Sequence, residues 1–234
     1  MADCIVLCSG GINSTVAATH AAREGDVHLL HVDFGQAAAT VQRSAVREIA
    51  QVLECGVTDI DLPHLSAIAQ LHRNANPQSA EPLDSATPKT PKLTLASVPL
   101  LMSELLGIGI QAAIRLGASA VVVGSSEAAN EVETESAPGR GAPYLRQDYY
   151  YLFSRLTEMS VSTKNPVRLE MPLIDFTRDE IIKAGSRFNT PFDLTYACKS
   201  DLGTHCNTCP DCIARTQAFN AAKMHDPAFA NAPA

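Results

Sequence analysis

Cys8-Ser9-Gly10-Gly11-Ile12-Asn13-Ser14-Thr15 is the stretch whose reading decides the fold. It stands between a short apolar run, Ile5 to Cys8, and an alanine-rich stretch with helical spacing, Thr15 to Arg23. A strand, a glycine turn and a helix in that order form the opening unit of an α/β sheet. Two adjacent glycines let the backbone turn tightly and approach a ligand with no Cβ in the way. The following helix presents free N–H groups and a partial positive charge to the turn. Ser9, Ser14 and Thr15 add hydroxyl groups. A phosphate or pyrophosphate fits such a turn. The pattern is neither Gly-x-Gly-x-x-Gly nor Gly-x-x-x-x-Gly-Lys-Ser/Thr, which disfavours a dinucleotide fingerprint and a Walker ATPase.

Outward from this turn, apolar runs and helical patterns alternate. Val27 to Asp33, Val57 to Leu62, Ala118 to Gly124 and Val167 to Met171 read as further strands. Thr40 to Leu53, Val98 to Leu116, Asp148 to Met159 and Arg178 to Phe188 read as helices. The alternation predicts an α/β fold with a doubly wound, mainly parallel five-stranded sheet covered on both faces. Asp33-Phe34-Gly35-Gln36 ends the second strand and Gly124 ends the fourth, positions where such sheets face their ligands. His28 and His31 read as core or edge residues of the second strand.

Two segments break the alternation. Pro63 to Leu93 carries Pro63, Pro77, Pro82, Pro88 and Pro91, and reads as a lid, a binding loop or a surface insertion. Ser125 to Gln147 is acidic at Glu127, Glu131, Glu133 and Glu135 and basic at Arg140 and Arg146; it reads as a loop facing substrate. The expected organisation is a nucleotide-binding α/β domain over residues 1–190, a cysteine knuckle with a C-terminal helix over 191–227, and a fraying tail over 228–234.

The chain has 234 residues, with 18 Lys and Arg against 25 Asp and Glu, for a net charge of −7. That acidity argues against non-specific binding to a nucleic-acid backbone. Its longest apolar stretches fall short of the ~20 residues of a membrane span. Met1-Ala2-Asp3-Cys4 lacks the basic start of a secretory leader, so the expectation is a cytoplasmic protein. Seven cysteines, three of them within a seven-residue stretch, suit metal in a reducing compartment better than a disulfide scaffold.

Cys198, Cys206, Cys209 and Cys212 follow the spacing Cys-x7-Cys-x2-Cys-x2-Cys. Thiolates that close together in sequence converge from a tight turn, and a fourth closes the tetrahedral shell of a structural Zn2+. The same Cys-x2-Cys-x2-Cys run also suits an iron–sulfur cluster, and His205 is an alternative ligand beside Cys206. Cys4, Cys8 and Cys55 lie in or beside apolar elements and read as core thiols.

Ser9-Gly10-Gly11-x-x-Ser14 resembles the pyrophosphate loop of the N-type ATP pyrophosphatases, the PP-loop family of HUP-type folds. With the cysteine knuckle, Phe34-Gly35-Gln36, Pro172-Leu173-Ile174-Asp175, Thr195-Tyr196-Ala197-Cys198, Arg215, Ala218, Phe219 and Asp226-Pro227, the chain resembles the 7-cyano-7-deazaguanine synthase family. The resemblance implies ATP, Mg2+ and Zn2+, ammonia as amine donor, a 7-deazaguanine carboxylate or related acceptor, and a homodimer. Such enzymes adenylate a carboxylate, form the amide with ammonia, adenylate the amide oxygen and eliminate AMP to leave a nitrile. On this resemblance Ser9, Asn13 and Ser14 are the catalytic residues. Ser9, Gly10, Gly11, Ile12, Asn13, Ser14, Thr15, Asp33, Phe34, Gly35, Gln36 and Gly124 hold the nucleotide, and the four cysteines hold the metal. Three departures stand out. Asn13 replaces the family's Asp. Val98-Pro99-Leu100-Leu101-Met102 replaces Val-Pro-Gly-Arg-Asn, and Gly124-Ser125-Ser126-Glu127-Ala128-Ala129 replaces Gly-x-Asn-x-x-Asp with its following Tyr-Pro-Asp-Cys-Arg run. These departures imply a divergent member, with altered acceptor recognition. The alternatives within reach are a PP-loop tRNA-thiolation enzyme and a weakly catalytic nucleotide-binding module.

Overall fold

A computed structural model describes residues 2–68, 93–95, 98–130, 142–161 and 166–229. Five strands, β1 (Cys4–Leu7), β2 (Val27–Asp33), β3 (Gly56–Asp61), β4 (Ala120–Val123) and β5 (Arg168–Glu170), form one sheet in the order β3-β2-β1-β4-β5. Every pairing among them is parallel. The helices are α1 (Ile12–Ala22), α2 (Ala39–Val52), α3 (Leu101–Leu116), α4 (Gln147–Ser160), α5 (Arg178–Phe188) and α6 (Pro210–Ala222). The predicted doubly wound five-stranded sheet is present, parallel throughout the described residues.

Side-chain alternation along the strands builds two cores. Val6, Val27, Leu29 and Val122 face α1, α2, α5 and α6, where they meet Val16, Ile49, Ile181 and Phe219. Ile5, Leu30, Val121 and Val123 face α3 and α4, where they meet Leu106, Ile110 and Tyr150. The interior strand β4 is buried at all four positions, as a parallel strand covered on both faces must be. The edge strand β3 behaves differently. Asp59 and Asp61 stand on its α2 face, opposite Arg43 and Arg47.

The chain leaves β1 toward β2 and β3 on one side, then returns past β1 to β4. The carboxyl ends of β1 and β4 therefore open a crevice at a topological switch point, where open α/β sheets bind their ligands. Two helices start three residues away from the sequence pattern. Helix α1 begins at Ile12, not Thr15, because the glycine turn closes within two residues. Ile12, Asn13 and Ser14 thus form its first turn. Helix α3 begins at Leu101, not Val98, because Leu100 adopts a left-handed conformation with φ 62° that breaks the helix on its N-terminal side.

Residues 64–68 are helical, and Leu93 returns to the end of β2, where its N–H donates to the Gly35 carbonyl at 3.0 Å. Pro77, Pro82, Pro88, Pro91, Glu131, Glu133, Glu135 and Arg140 lie outside the described residues, as do 230–234 of the tail. No helix among the described residues is long and apolar enough to cross a membrane.

The C-terminal segment packs onto the same core. Phe192 and Phe219 meet edge to face at 5.3 Å. Arg215 is buried and donates to both oxygens of Asp226, to Oγ1 and the carbonyl of Thr195, and to the Phe192 carbonyl. Those bonds use all five guanidinium N–H groups, which is the condition for burying the charge without a large desolvation loss.

Candidate functional site

The glycine turn sits at the carboxyl end of β1, in the crevice. Gly10 has φ +77°, and a Cβ there would stand 3.0 Å from the Gln42 carbonyl and 3.3 Å from Ala45. Gly10 is therefore demanded by its backbone conformation and by the close approach of α2. Gly11 is different. A Cβ there would meet only Ser9 Oγ, at 3.5 Å, so its missing side chain leaves one side of the turn accessible. Ser14 Oγ ties the turn together: it accepts from the Ser9 N–H at 3.2 Å, lies 3.1 Å from Ser9 Oγ, and is 3.2 Å from the Gly11 carbonyl. Thr15 Oγ1 donates to the same carbonyl at 2.8 Å.

Helix α1 has no side-chain cap and no acidic residue in its first turn. Its first intrahelical bond runs from the Thr15 N–H to the Gly11 carbonyl, so the N–H groups of Ile12, Asn13 and Ser14 face the crevice end without a helical partner. With the helix dipole they form an anion cradle. Ser9, Gly10, Gly11, Ile12, Asn13, Ser14 and Thr15 are thus gathered in one place. Gly124 lies against them. A Cβ at Gly124 would be 2.5 Å from the Asn13 carbonyl oxygen and 2.7 Å from the Ser14 Cα. The end of β4 and the first turn of α1 are in backbone contact.

Asp33, Phe34, Gly35 and Gln36 form a tight turn after β2, with Gly35 at φ +91°. Their side chains largely serve the turn itself. Asp33 Oδ1 accepts from the Gly35 N–H at 2.9 Å, and its Oδ2 accepts from Arg43 at 3.2 Å. Gln36 accepts from the Phe34 N–H and donates to the Val32 carbonyl and to Gln42. A nucleoside here would meet the backbone and the half-buried Phe34 ring.

The four cysteines come together: one sulfur from each lies within 4.8 Å of the others. A tetrahedral Zn2+ with Zn–S bonds of about 2.3 Å needs sulfurs about 3.8 Å apart, so the set fits with small movements. The surrounding N–H groups favour thiolate. Cys198 Sγ accepts from the Ser200 and Cys206 amides, Cys206 Sγ from the Cys209 amide, and Cys209 Sγ from the Cys212 amide. Burial works against ionising Cys198, but the hydrogen bonds from Ser200 and Cys206 outweigh it and bring this thiol down to about 6. Burial dominates at Cys212 and pushes it up to about 12. His205 faces away from this set: its Nε2 accepts from the Ala197 amide at 3.3 Å, and its ring packs on Tyr196 and Phe229.

The cysteine segment touches the glycine turn directly. The Tyr196 N–H donates to the Gly10 carbonyl at 2.8 Å. The Tyr196 side chain, with Cys198 and Cys212, packs on Ala38 and Ala45 of the α2 region. Its hydroxyl donates to the Ser200 and Thr204 carbonyls, inside the loop that carries the cysteines. Sequence reasoning quoted Tyr196 without giving it this part. It also missed Arg43 and Arg47, although their spacing on one helix face, against Asp59 and Asp61 on one strand face, is a readable signal.

The segments that depart from the family pattern meet in space. Tyr150, fully buried on α4, hydrogen-bonds Ser125 and reaches Met102 Sδ at 3.9 Å. Tyr149 bonds Ser103. Burial pushes the Tyr150 hydroxyl up to about 12, so it stays a neutral donor. Glu127 caps α4 through the Gln147 N–H, and Arg146 pairs with Asp148 at 2.9 Å and lies 3.9 Å from Glu127. Those charges are engaged within the loop that sequence reading assigned to substrate.

Comparison with known proteins adds a family. A family model described as "Queuosine biosynthesis protein QueC" matches residues 3–223. The chain is 30% identical over 236 residues to a 7-cyano-7-deazaguanine synthase of Methanothrix thermoacetophila, covering 97% of this chain and 98% of the other. A protein of the same name from Acidobacterium capsulatum is 30% identical, covering 95% of this chain and 94% of the other. Among solved structures, that of NMN synthetase from Francisella tularensis covers 96% of this chain and 79% of its own at 14% identity and a TM-score of 0.49, too remote to bear on chemistry.

Proposed function

The chain belongs to the queuosine biosynthesis protein QueC family, and from that premise we propose that it converts a carboxylate to a nitrile at the expense of ATP, as a 7-cyano-7-deazaguanine synthase. The observation that carries the reading is the uncapped first turn of α1 behind a glycine turn at the switch point. In this proposal residues 1–190 form the nucleotide unit and 191–227 the metal knuckle. The acceptor is 7-carboxy-7-deazaguanine or a related carboxylate, and ammonia supplies the nitrogen. The setting is the cytoplasm, where thiols stay reduced, and the working form is a homodimer.

A carboxylate oxygen of the acceptor attacks the α-phosphorus of ATP and pyrophosphate leaves. Negative charge grows on the departing oxygens. The N–H groups of Gly11, Ile12, Asn13 and Ser14, with the Ser9 and Ser14 hydroxyls, stabilise it from fixed positions. Ammonia displaces AMP to give the amide. The amide oxygen then attacks the α-phosphorus of a second ATP and displaces its pyrophosphate, and the adenylated imidate loses AMP and a proton to leave the nitrile. No protein nucleophile is required, because positioning supplies most of the rate. Asn13 would hold a Mg2+ through its amide oxygen, and the ion would supply positive charge to offset that of the phosphates. The four cysteines would hold a Zn2+ with protein sulfur alone, which would give it a structural role.

The test is pyrophosphate release from ATP with 7-carboxy-7-deazaguanine and ammonia, with the nitrile followed by mass spectrometry. Turnover in the wild type and a higher rate in Asn13→Asp support the reading. Tight ATP binding with no pyrophosphate release from either protein overturns it in favour of a binding module.

A further inference from the structure

We propose that His31 is a positioning residue for the nucleotide site, and that one buried water shared by His31, Arg43 and Asp59 completes a polar chain from the Cys8 carbonyl to the Gly35 amide. The inference rests on the nucleotide reading above for its functional meaning, though not for its chemistry.

His31 is 1% exposed, on the face of β2 that looks toward α2. Its Nδ1 lies 3.1 Å from the Cys8 carbonyl, directly before the glycine turn. A carbonyl only accepts, so Nδ1 carries the hydrogen, and in the neutral ring Nε2 is left as an acceptor. Burial disfavours the imidazolium and holds the ring neutral. Three side-chain atoms of this region, His31 Nε2, Arg43 Nε and Asp59 Oδ1, are buried without a protein partner. His31 and Asp59 are register partners on adjacent strands, so their side chains rise from the same sheet face. Arg43 descends on that face from α2, with its Nε 3.9 Å from Asp59 Oδ1. That separation is too long for a direct bond and within the span of a bridging water.

The set contains one donor and two acceptors. A cation would face the guanidinium N–H, and an anion would face two lone pairs. A water satisfies all three atoms by accepting from Arg43 and donating to His31 and Asp59, which is the usual count for a buried water. From Arg43 the chain continues. Its Nη2 donates to Asp33 Oδ2, and Asp33 Oδ1 accepts from the Gly35 N–H. The turn proposed to hold the triphosphate and the turn proposed to hold the nucleoside are thereby kept in one spatial relation. The β1–β2 pairing and Gln42 of α2, which accepts from Gln36 and lies against Gly10, also join the two turns.

His31→Leu removes both ring contacts. The expected result is a KM for ATP raised about tenfold, the size of one to two lost hydrogen bonds, with kcat changed less than about threefold. His31→Asn, which restores a donor near the Nδ1 position, should recover most of that rise. Arg43→Lys keeps the charge but cannot serve both Asp33 and the water; it should raise the ATP KM as well, and it decides the matter if the leucine variant fails to fold. In long-range 15N–1H spectra of the wild type, His31 should show the Nδ1–H tautomer, and a crystal structure should show the three-bonded water. A leucine variant that is only less thermostable, with an unchanged ATP KM, overturns the positioning role. An Nε2–H tautomer or an empty site overturns the water. Should the wild type neither bind nor cleave ATP, the functional reading fails while the tautomer and the water still decide the polar chain.

Discussion

Leu100 carries a departure that the backbone does not share. Its φ of 62° lies where glycine is at ease and an L side chain costs about 1–2 kcal/mol. The family pattern has glycine at this position. The turn has survived the loss of its preferred residue, and the leucine side chain, 76% exposed, returns little packing. Leu100→Gly should therefore stabilise the protein by about 1 kcal/mol, read as a higher midpoint in urea with an unchanged slope. An equal or lower midpoint would refute the backbone cost assigned to Leu100. Asn13 is the opposite case, since its identity was legible in sequence as a lost charge. Its place inside the first turn of α1, two residues from the N-cap Gly11, was not legible, because the helical pattern alone begins only at Thr15.

Among the elements, the strands and helices announced themselves by period, and their order gave the α/β class. The contact between β4 and α1 did not. Gly124 reads in sequence as a strand end that faces a ligand; in the fold it is also the point where two backbones touch. A Cβ there cannot be relieved by a rotamer change, because the atoms it meets belong to the Asn13–Ser14 main chain. Gly124→Ala should cost at least about 3 kcal/mol in stability or, where the protein survives, displace the first turn of α1 and abolish ATP binding. Calorimetry with ATP, alongside thermal melting, checks both arms; normal affinity and an unchanged melting temperature would refute the contact. Strand β3 teaches the same lesson about pairing. Asp59 and Asp61 are ordinary edge-strand carboxylates until α2 brings Arg43 and Arg47 onto them.

For the whole molecule, the cysteine cluster and the glycine turn are separated by 185 residues or more in sequence, yet joined by the Tyr196 N–H to Gly10 carbonyl bond. Structural metal in small Cys4 units contributes on the order of 10–16 kcal/mol of apparent binding free energy. With Zn2+ loaded into the four-cysteine set, its removal by a chelator should loosen the loop that clasps the Tyr196 hydroxyl and then the Gly10 turn. Hydrogen exchange should accelerate over 196–212 and over 10–14 together, and ATP affinity should fall. Faster exchange over 196–212 alone would sever the proposed link. Metal affinity should also fall with pH. The Cys212 thiol, held up to about 12 by burial, must release its proton to ligate, so each lowering of pH makes proton competition stronger. Competition with a chromophoric chelator at about pH 8 and about pH 6.5 reads the sign.

By itself the sequence determined the α/β class, the glycine turn at the first strand end, the metal-ready cysteine set and the family resemblance. These are local: a period, a turn chemistry and a ligand spacing each fit within a few tens of residues. Tertiary structure alone decided which face of β2 carries His31, that Arg43 reaches Asp33, that Tyr150 joins Met102 to Ser125, and that the cysteine knuckle rests on the glycine turn. The physical reason is common to all four. A parallel sheet brings together strand ends that are remote in the chain, and the partner of a polar group is then set by which elements cover that face, a choice no local pattern encodes.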